Sequence, residues 1–149
     1  QPAGYLRLEG APHSLLRAST QGCTEPQRFP IPWSKDAATS RALASNNHFN
    51  ALIPLTIDVF ANEALIFDQQ QVTAIQVLDA NEQCLARFSS SAPAWLVWAP
   101  TNHPSPFICC EPWYGLPDKQ GFQGNWQDRP HVQHAAPNST WRGGFTIEL

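Results

Sequence analysis

Turn-forming residues divide this sequence into segments that are too short for long helices. Fourteen prolines and eight glycines are spread over 149 residues, and such residues interrupt regular structure. Several of the intervening segments, such as Gly4–Glu9 and Val72–Leu78, alternate apolar and polar residues in the manner of β-strands. Short strands about every 8–12 residues, with turns between them, are typical of a sandwich or barrel. The sequence therefore predicts an all-β protein, an antiparallel sandwich or barrel, formed as a single domain over residues 1–149.

Individual strands are predicted from runs of β-branched and aromatic residues. Val72–Leu78 and Cys84–Phe88 flank a turn at Asp79–Asn81 and form a predicted hairpin. Ala94–Ala99 is apolar on both faces, which is typical of a strand that lies between two layers. The other predicted elements are strands at Leu52–Phe60, Ala64–Phe67, Phe107–Glu111, His131–Ala135 and Trp141–Leu149, a short helix at Asp36–Ala44 and a loop at Gly115–Pro130.

The composition excludes several classes of protein. Hydrophobic residues at 42% and aromatic residues at 11% exclude a disordered chain, which has few aromatics and a high net charge. The net charge of −3 argues against a nucleic-acid partner, because nucleic-acid-binding proteins carry a basic patch or stripe. No apolar run reaches the roughly 18 residues of a membrane-spanning helix. Neither a nucleic acid nor a membrane is therefore predicted as a partner.

The cysteines bear on metal binding and on the cellular compartment. Cys23, Cys84, Cys109 and Cys110 are too few and too scattered for the disulfide scaffold of a small secreted protein. No CxxC pair is present, so a structural zinc site is not expected. We predict buried thiols that act as small hydrophobic side chains, no metal, and a cytoplasmic location.

One carboxylate is a candidate functional group because it ends an apolar strand. Glu111 follows an apolar run and precedes a proline that is predicted to end the strand, and Trp113 and Tyr114 come next. A glutamate in this setting is partly desolvated, which suits general acid–base catalysis. The two aromatic rings offer flat apolar faces on which a sugar ring can rest. The alternative is a structural glutamate that is solvated or paired with Arg87 or Arg129.

The sequence around this glutamate resembles the signature of the aldose 1-epimerase (galactose mutarotase) family, in particular its LacX-like branch. Pro106–Asp118 reads PFICCEPWYGLPD, similar to the family's apolar stretch followed by Cys-Ile-Glu-Pro-Trp, a glycine and a short acidic loop. Leu55–Asp68 reads LTIDVFANEALIFD and resembles the family segment Leu-Thr-x-x-Leu-Phe-x-x-Asp-Ala-Leu-Ile-Phe. The resemblance runs in order from about Gly4 to the C-terminus, and the EPWYG and ALIF blocks are its most specific parts.

This resemblance implies a fold, a reaction and site residues. The implied fold is part of the galactose mutarotase-type β-supersandwich. Glu111 falls on the catalytic base, which takes the proton from the anomeric hydroxyl of an aldose while an acid protonates the ring oxygen. The ring opens, the aldehyde rotates and closure gives the other anomer, with no metal or organic cofactor required. Trp113 falls on the pocket wall, and Glu63 falls where the family has an aspartate that hydrogen-bonds sugar hydroxyls.

The family's catalytic acid has no clear counterpart in this sequence. It is a histidine in a segment reading roughly His-Pro-x-Phe, and the chain begins just after the place where that segment would lie. His48 stands in a similar short string but directly precedes the strand predicted at Leu52, which is the wrong position. We therefore expect the C-terminal portion of a mutarotase-like domain, with the pocket completed by an N-terminal segment or a complementary chain.

Other histidines and tryptophans have structural explanations. His131 and His134 are three residues apart on a predicted strand, so they are expected to face opposite sides and not to share a metal. His13 lies beside a proline in a predicted loop and is expected to be solvated. Trp95 and Trp98 are expected in the core rather than in a carbohydrate platform.

Functions from different classes stay open at this point. The first is a mutarotase-like isomerase with a small sugar as its substrate. The second is a non-catalytic carbohydrate-binding module, in which the aromatic residues around Glu111 bind a sugar but no acid opposes the base. The third is an unrelated jelly-roll domain. A histidine donor opposite Glu111 would discriminate between the first two.

Overall fold

The computed structural model describes residues 3–19, 21–34, 52–101 and 107–149. Within these ranges nine β-strands form two antiparallel sheets, and no α-helix is present. The predicted all-β class and antiparallel sandwich are confirmed. The strands are β1 Gly4–Gly10, β2 Leu16–Arg17, β3 Leu52–Pro54, β4 Leu65–Phe67, β5 Val72–Asp79, β6 Cys84–Ser89, β7 Ala94–Trp98, β8 Cys109–Trp113 and β9 Thr146–Glu148.

The larger sheet has five strands in the order β3-β1-β5-β6-β9. The predicted hairpin at its centre is confirmed, since β5 pairs with β6. Its turn is held by the Asp79 side chain, which accepts the backbone N–H groups of Asn81 and Gln83, each at 2.8 Å. Because side chains alternate between the two faces of a strand, the apolar residues of β1 and β5, including Leu8 and Ile75, face the second sheet.

The second sheet has four strands in the order β2-β4-β7-β8. Its inner face carries Leu65, Phe67, Trp95 and Val97, which are almost completely buried against the five-stranded sheet. Trp95 is 0% exposed, in agreement with its predicted place in the core. Because both sheets bury one apolar face against the other, this shared core is the main source of stability.

A second, smaller apolar cluster lies on the outer face of the four-stranded sheet. We call it the outer cluster. It contains buried side chains from β2, β4 and β7 and one from the loop after β8, with half-buried neighbours around them. Its members are Leu16, Ala18, Ile66, Ala94, Leu96, Trp113 and Leu116. The outer face of this sheet is therefore apolar at its centre.

Two features of the structure differ from the strands predicted in the first half of the chain. Leu52–Phe60 is not one strand, because β3 ends at Pro54 and a 3₁₀ turn follows at Ile57–Phe60. The Thr56 carbonyl accepts the Val59 N–H at 3.2 Å, and this turn packs Val59 and Phe60 into the core. An apolar run can thus be buried without being extended.

The C-terminal segment also has less strand than predicted. His131–Ala135 is not a strand, and His131 adopts a left-handed conformation with φ of 60°, which a β-strand does not contain. Trp141–Leu149 is extended only at β9, since the backbone N–H and C=O of Gly144 bond to the Tyr114 hydroxyl instead of a neighbouring strand.

No helix in the described ranges is long and apolar enough to cross a membrane. The helix predicted at Asp36–Ala44 lies outside the described residues, as does His48.

Candidate functional site

Glu111 lies on the outer face of the four-stranded sheet, in the middle of β8. It pairs with Leu96 of β7, which in turn pairs with Ile66 of β4. The strand continues through Pro112 to Trp113, so the expected end of the strand at Pro112 is wrong. Proline has no backbone N–H to donate to a neighbouring strand. It is accepted at this position because β8 is an edge strand, where backbone groups on the outward side have no neighbouring strand to pair with. The fold thus places a half-buried carboxylate at the margin of the outer cluster.

Two neighbouring donors hold the carboxylate of Glu111. The Trp113 indole Nε1–H donates to Glu111 Oε2 at 3.0 Å, and the Cys109 thiol forms a second side-chain hydrogen bond with the same carboxylate. Residues 109, 111 and 113 share one face of β8 because side chains alternate along a strand. Hydrogen bonds to a charged acceptor are stronger than neutral ones. The orientation of Glu111 is therefore set within its own strand.

The two ion pairs considered as a structural explanation for Glu111 do not form. Arg87 pairs instead with Glu9 and Glu148. Arg129 pairs with Asp118, with 2.8 Å between Nε and Oδ1. Within the described part of the chain no arginine or lysine forms an ion pair with Glu111.

The adjacent thiols stay protonated at neutral pH. Desolvation raises the pKa of Cys109, and the nearby charge of Glu111 and their hydrogen bond raise it further. Desolvation also raises the pKa of Cys110 to about 12, with smaller contributions from Cys109 and Glu111. A protonated thiol can donate to a carboxylate, which is the role of Cys109 here. The described residues contain no group of three His, Cys, Asp or Glu side chains placed to hold a metal.

The loop after β8 forms one wall beside Glu111. Leu116 is 9% exposed and inserts into the outer cluster, in contact with the same apolar group as Trp113. The loop is tied to a distant segment, because the Asp118 carbonyl accepts the Thr24 N–H at 2.8 Å and the Thr24 carbonyl accepts the Gln120 N–H at 3.0 Å. These bonds hold the wall in a fixed position relative to the sheet.

Glu63 is not brought into contact with Glu111. It is exposed and precedes β4 with φ of 63°. Ile66 and Glu111 lie in one row of paired residues across the sheet, two strands apart, which is roughly 10 Å by the usual strand spacing. Glu63 comes three residues before Ile66 in the chain. A shared contact with one sugar stays a prediction for this pair.

Arg17 is a buried charge that the local sequence pattern did not predict. It pairs with the core residue Leu65 and lies on the inner face of the four-stranded sheet. It is 9% exposed, and its Nη1 donates to the carbonyl oxygens of Val59 at 3.1 Å and of Glu63 at 2.8 Å. Desolvation lowers its pKa, and the charge of Glu25 partly offsets this effect. Arg17 therefore holds the loop that carries Glu63. In the sequence, the indication of a buried role for Arg17 is that it is the one charged residue within the otherwise apolar run Leu15–Ala18.

We expect Arg17→Met to lower the free energy of unfolding by about 2–3 kcal/mol, because two carbonyls lose their donor inside the protein. Urea denaturation followed by circular dichroism measures this change. Arg142→Met is the matched control, since Arg142 is exposed and its loss should change stability by less than about 0.5 kcal/mol. Equal effects of the two substitutions would show that Arg17 does not hold the loop.

The described histidines do not supply an acid to Glu111. His13 is exposed and bonds to Ser14, in agreement with its predicted solvation. His134 packs against Trp126, with ring centroids 6.0 Å apart. The expectation that His131 and His134 face opposite sides of a strand is wrong, because no strand forms there. No described histidine forms a hydrogen bond with Glu111.

Sequence comparison finds relatives among the LacX proteins of Lactococcus lactis subsp. lactis. The chain is 23% identical to the plasmid-encoded LacX over 138 residues and 22% identical to the chromosomal LacX over the same length. Each match covers 92% of this chain but 45% of the relative, so the chain spans less than half the length of these relatives. No family model matches the sequence.

Structure comparison finds galactose mutarotase-like proteins of the same fold. A galactose mutarotase related enzyme from Lactobacillus acidophilus superposes with a TM-score of 0.70 at 16% identity, covering 97% of this chain and 44% of the other. A galactose mutarotase-like protein from Lactobacillus casei gives a TM-score of 0.65 at 19% identity, again covering 97% and 44%. The predicted galactose mutarotase-like fold and the predicted resemblance are confirmed.

Proposed function

We propose, from its resemblance to the LacX proteins and its galactose mutarotase-like fold, that this chain is an aldose 1-epimerase-like protein. In this proposal it is the C-terminal portion of a mutarotase-like domain, with residues 1–149 as one β domain. Its ligand is a small aldose, and its reaction is the interconversion of the α and β anomers. We place it in the cytoplasm, consistent with four cysteines that form no disulfide.

The observation that carries this proposal is the state of Glu111. Its carboxylate is half-buried on an apolar sheet face, is free of any cationic partner in the described ranges, and is oriented by the Trp113 indole at 3.0 Å. A general base needs such a fixed position and an accessible lone pair. In the proposed reaction Glu111 takes the proton of the anomeric hydroxyl, and an acid on the other side protonates the ring oxygen.

The proposed reaction also needs an acid and further sugar contacts, which residues other than Glu111 supply. Glu63 is proposed to hydrogen-bond sugar hydroxyls, with Arg17 as the positioning residue of its loop. Trp113 is proposed to form part of the pocket wall as well as to orient the base. The acid is proposed to be a histidine supplied by an N-terminal segment or by a complementary chain, and no metal or cofactor takes part.

A second candidate is a sugar-binding module without catalysis. It is favoured by one observation: the side-chain donors that reach Glu111 among the described residues are the Trp113 indole and the Cys109 thiol. Both fall short as acids, because an indole N–H does not transfer its proton in water and the raised pKa of Cys109 makes it a weak acid. In this alternative the same pocket binds an aldose and leaves its anomeric equilibrium unchanged.

One experiment separates these functions. Polarimetry of freshly dissolved α-D-galactose and α-D-glucose measures catalysis, and tryptophan fluorescence measures binding of the same sugars. For the 149-residue chain alone we expect binding with weak or no acceleration. A second preparation also contains the part of a LacX protein that does not align with this chain. If that part supplies the acid, the rate of anomer interconversion should rise. Neither binding nor acceleration in either preparation would overturn the proposal.

Trp113→Phe tests how Glu111 is oriented. The ring is retained, but the N–H donor to Glu111 Oε2 is lost, and a hydrogen bond to a charged group is worth about 1.5–3 kcal/mol. We expect the rate of anomer interconversion to fall about tenfold or more, with sugar affinity changed less. Trp126→Phe is the matched control, since Trp126 is exposed and packs on His134. A rate equal to that of the control would remove Trp113 from the positioning role.

A further inference from the structure

A groove with a volume of about 620 Å³ lies between the end of β6 and the segment that leads into β9. This volume is within the range of about 300–1,000 Å³ found for small-molecule sites. Glu111 and Trp113 do not line it, so it is separate from the candidate site above. Five of its eight lining residues carry a hydroxyl group: Thr73, Ser89, Ser90, Ser91 and Thr146.

One aromatic ring stands beside these hydroxyls. Phe145 lines the groove and is 58% exposed, although burying such a ring is favourable by about 1.5–3 kcal/mol. A flat apolar ring next to several hydroxyl donors and acceptors suits a ligand that has one C–H face and a rim of hydroxyl groups. Sugar rings have this combination of surfaces.

The charges of the groove disfavour an anion. Arg87 lines it, but its guanidinium already bonds to both carboxylate oxygens of Glu9, at 2.7 and 2.8 Å, and to Glu148. All three guanidinium nitrogens of Arg87 therefore already donate to a carboxylate. An anionic ligand would have to displace one of these carboxylates, whereas a neutral polyol needs no cation.

The two walls of the groove are fixed to each other by the Tyr114 hydroxyl. This hydroxyl donates to the Gly144 carbonyl at 3.0 Å and accepts the Gly144 N–H at 3.1 Å. Ser90 Oγ lies 3.2 Å from the same hydroxyl and donates to the Gly144 carbonyl at 2.7 Å. The Trp141 ring packs edge-on against Tyr114, with centroids 5.0 Å apart. A groove whose walls are held in this way loses little entropy when a ligand binds.

We propose that this groove is a second saccharide-binding site, which takes a neutral sugar with its C–H face on Phe145 and its hydroxyls on Ser89 and Thr146, which are paired across β6 and β9. It is independent of the proposed function, because no group of the Glu111 site takes part. Tyr114, which holds the groove, directly follows Trp113 on the chain and comes just after the end of β8.

NMR titration of the ¹⁵N-labelled 149-residue chain with methyl β-D-galactopyranoside tests this proposal. The methyl group blocks the anomeric hydroxyl, so no chemistry at Glu111 is involved. We expect the amide signals of Ser89–Ser91 and Gly144–Thr146 to shift and to saturate at millimolar concentrations. D-Galacturonate, which carries a carboxylate on a similar ring, should bind at least about threefold more weakly, because the cation of the groove, Arg87, is already paired with carboxylates.

Matched variants assign the binding to the groove. Phe145→Ala should weaken the affinity about tenfold, and Thr146→Val, which removes only a hydroxyl, should weaken it about threefold. Trp126→Ala removes another exposed aromatic residue and should leave the affinity unchanged.

Two results would overturn the proposal. The first is the absence of saturable shifts at the groove amides of the wild-type chain. The second is an affinity that survives Thr146→Val and Phe145→Ala but is lost in Glu111→Gln, which would place the sugar at the first site. If Phe145→Ala fails to fold, Thr146→Val alone tests the proposal. Valine is nearly isosteric with threonine, and Thr146 lies on the exposed edge strand β9, so this variant is expected to fold.

Discussion

Replacing Glu111 by glutamine is expected to lower the rate of anomer interconversion at least about a hundredfold, the usual effect of losing a general base. The substitution preserves the shape of the side chain, and the amide oxygen can still accept the Trp113 N–H. It removes the carboxylate lone pair that takes the proton from the anomeric hydroxyl. Polarimetry of freshly dissolved galactose, in whichever preparation accelerates the reaction, measures the change.

A matched carboxylate supplies the control for this substitution. Glu82 lies in the β5–β6 turn and is exposed, so Glu82→Gln should leave the rate within about a factor of two, in line with the small effects of surface substitutions. Sugar binding should persist in Glu111→Gln, because only the proton transfer is removed. A rate unchanged by Glu111→Gln would exclude Glu111 as the base and, with it, the proposed mechanism.

Trp95→Ala is expected to lower the free energy of unfolding by about 3–5 kcal/mol. Trp95 is 0% exposed and lies in the core between the two sheets, so truncation leaves a large cavity that the rigid sheets cannot close. Domains are stable by only about 5–15 kcal/mol, which makes this loss a large share of the total. Urea denaturation gives the free energy, and many molecules should already be unfolded at 37 °C.

Two further variants make this prediction specific. Trp95→Phe should cost much less than alanine, because the Trp95 indole N–H has no hydrogen-bond partner among the described residues and the phenyl ring fills most of the space. Trp98→Ala removes a half-buried ring on the other face of β7 and should also cost less than Trp95→Ala. If Trp95→Ala were no more destabilising than Trp98→Ala, the packing between the sheets would not be the main source of stability.

The outer cluster connects the fold to the proposed function. Glu111 and Trp113 lie on the same sheet face as Leu96 and Ile66, and Leu116 closes one side. An apolar surface excludes water and thereby strengthens electrostatic interactions with a bound ligand. The core residues on the inner face of the same strands hold β8 in place without contacting a ligand.

Local patterns predicted much of this structure. The alternation in Gly4–Glu9 and in Val72–Leu78 predicted strands that are present as β1 and β5, and the turn at Asp79 predicted the hairpin with β6. These features depend on neighbouring residues, which the side-chain period of two and the turn preferences of Asp and Asn describe well. The family resemblance of the EPWYG and ALIF blocks supplied the fold, which periodicity alone left open between a sandwich and a barrel.

Other features could not be predicted from local patterns. Whether Val59 and Phe60 continue a strand or turn into the core depends on what packs against them. That Pro112 lies within a strand follows from the edge position of β8, which is a property of the whole sheet. The buried contact of Arg17 with the carbonyls of Val59 and Glu63 joins residues more than 40 positions apart.

The sequence by itself determined the all-β class and the positions of most strands along the chain, because both depend on the local spacing of apolar and turn-forming residues. Only the tertiary structure decided that the Trp113 indole holds Glu111, that Arg87 and Arg129 pair elsewhere, and that a hydroxyl-lined groove forms beside Phe145. Those outcomes depend on competition among partners that are distant in sequence, and such competition is settled only when the two sheets pack together.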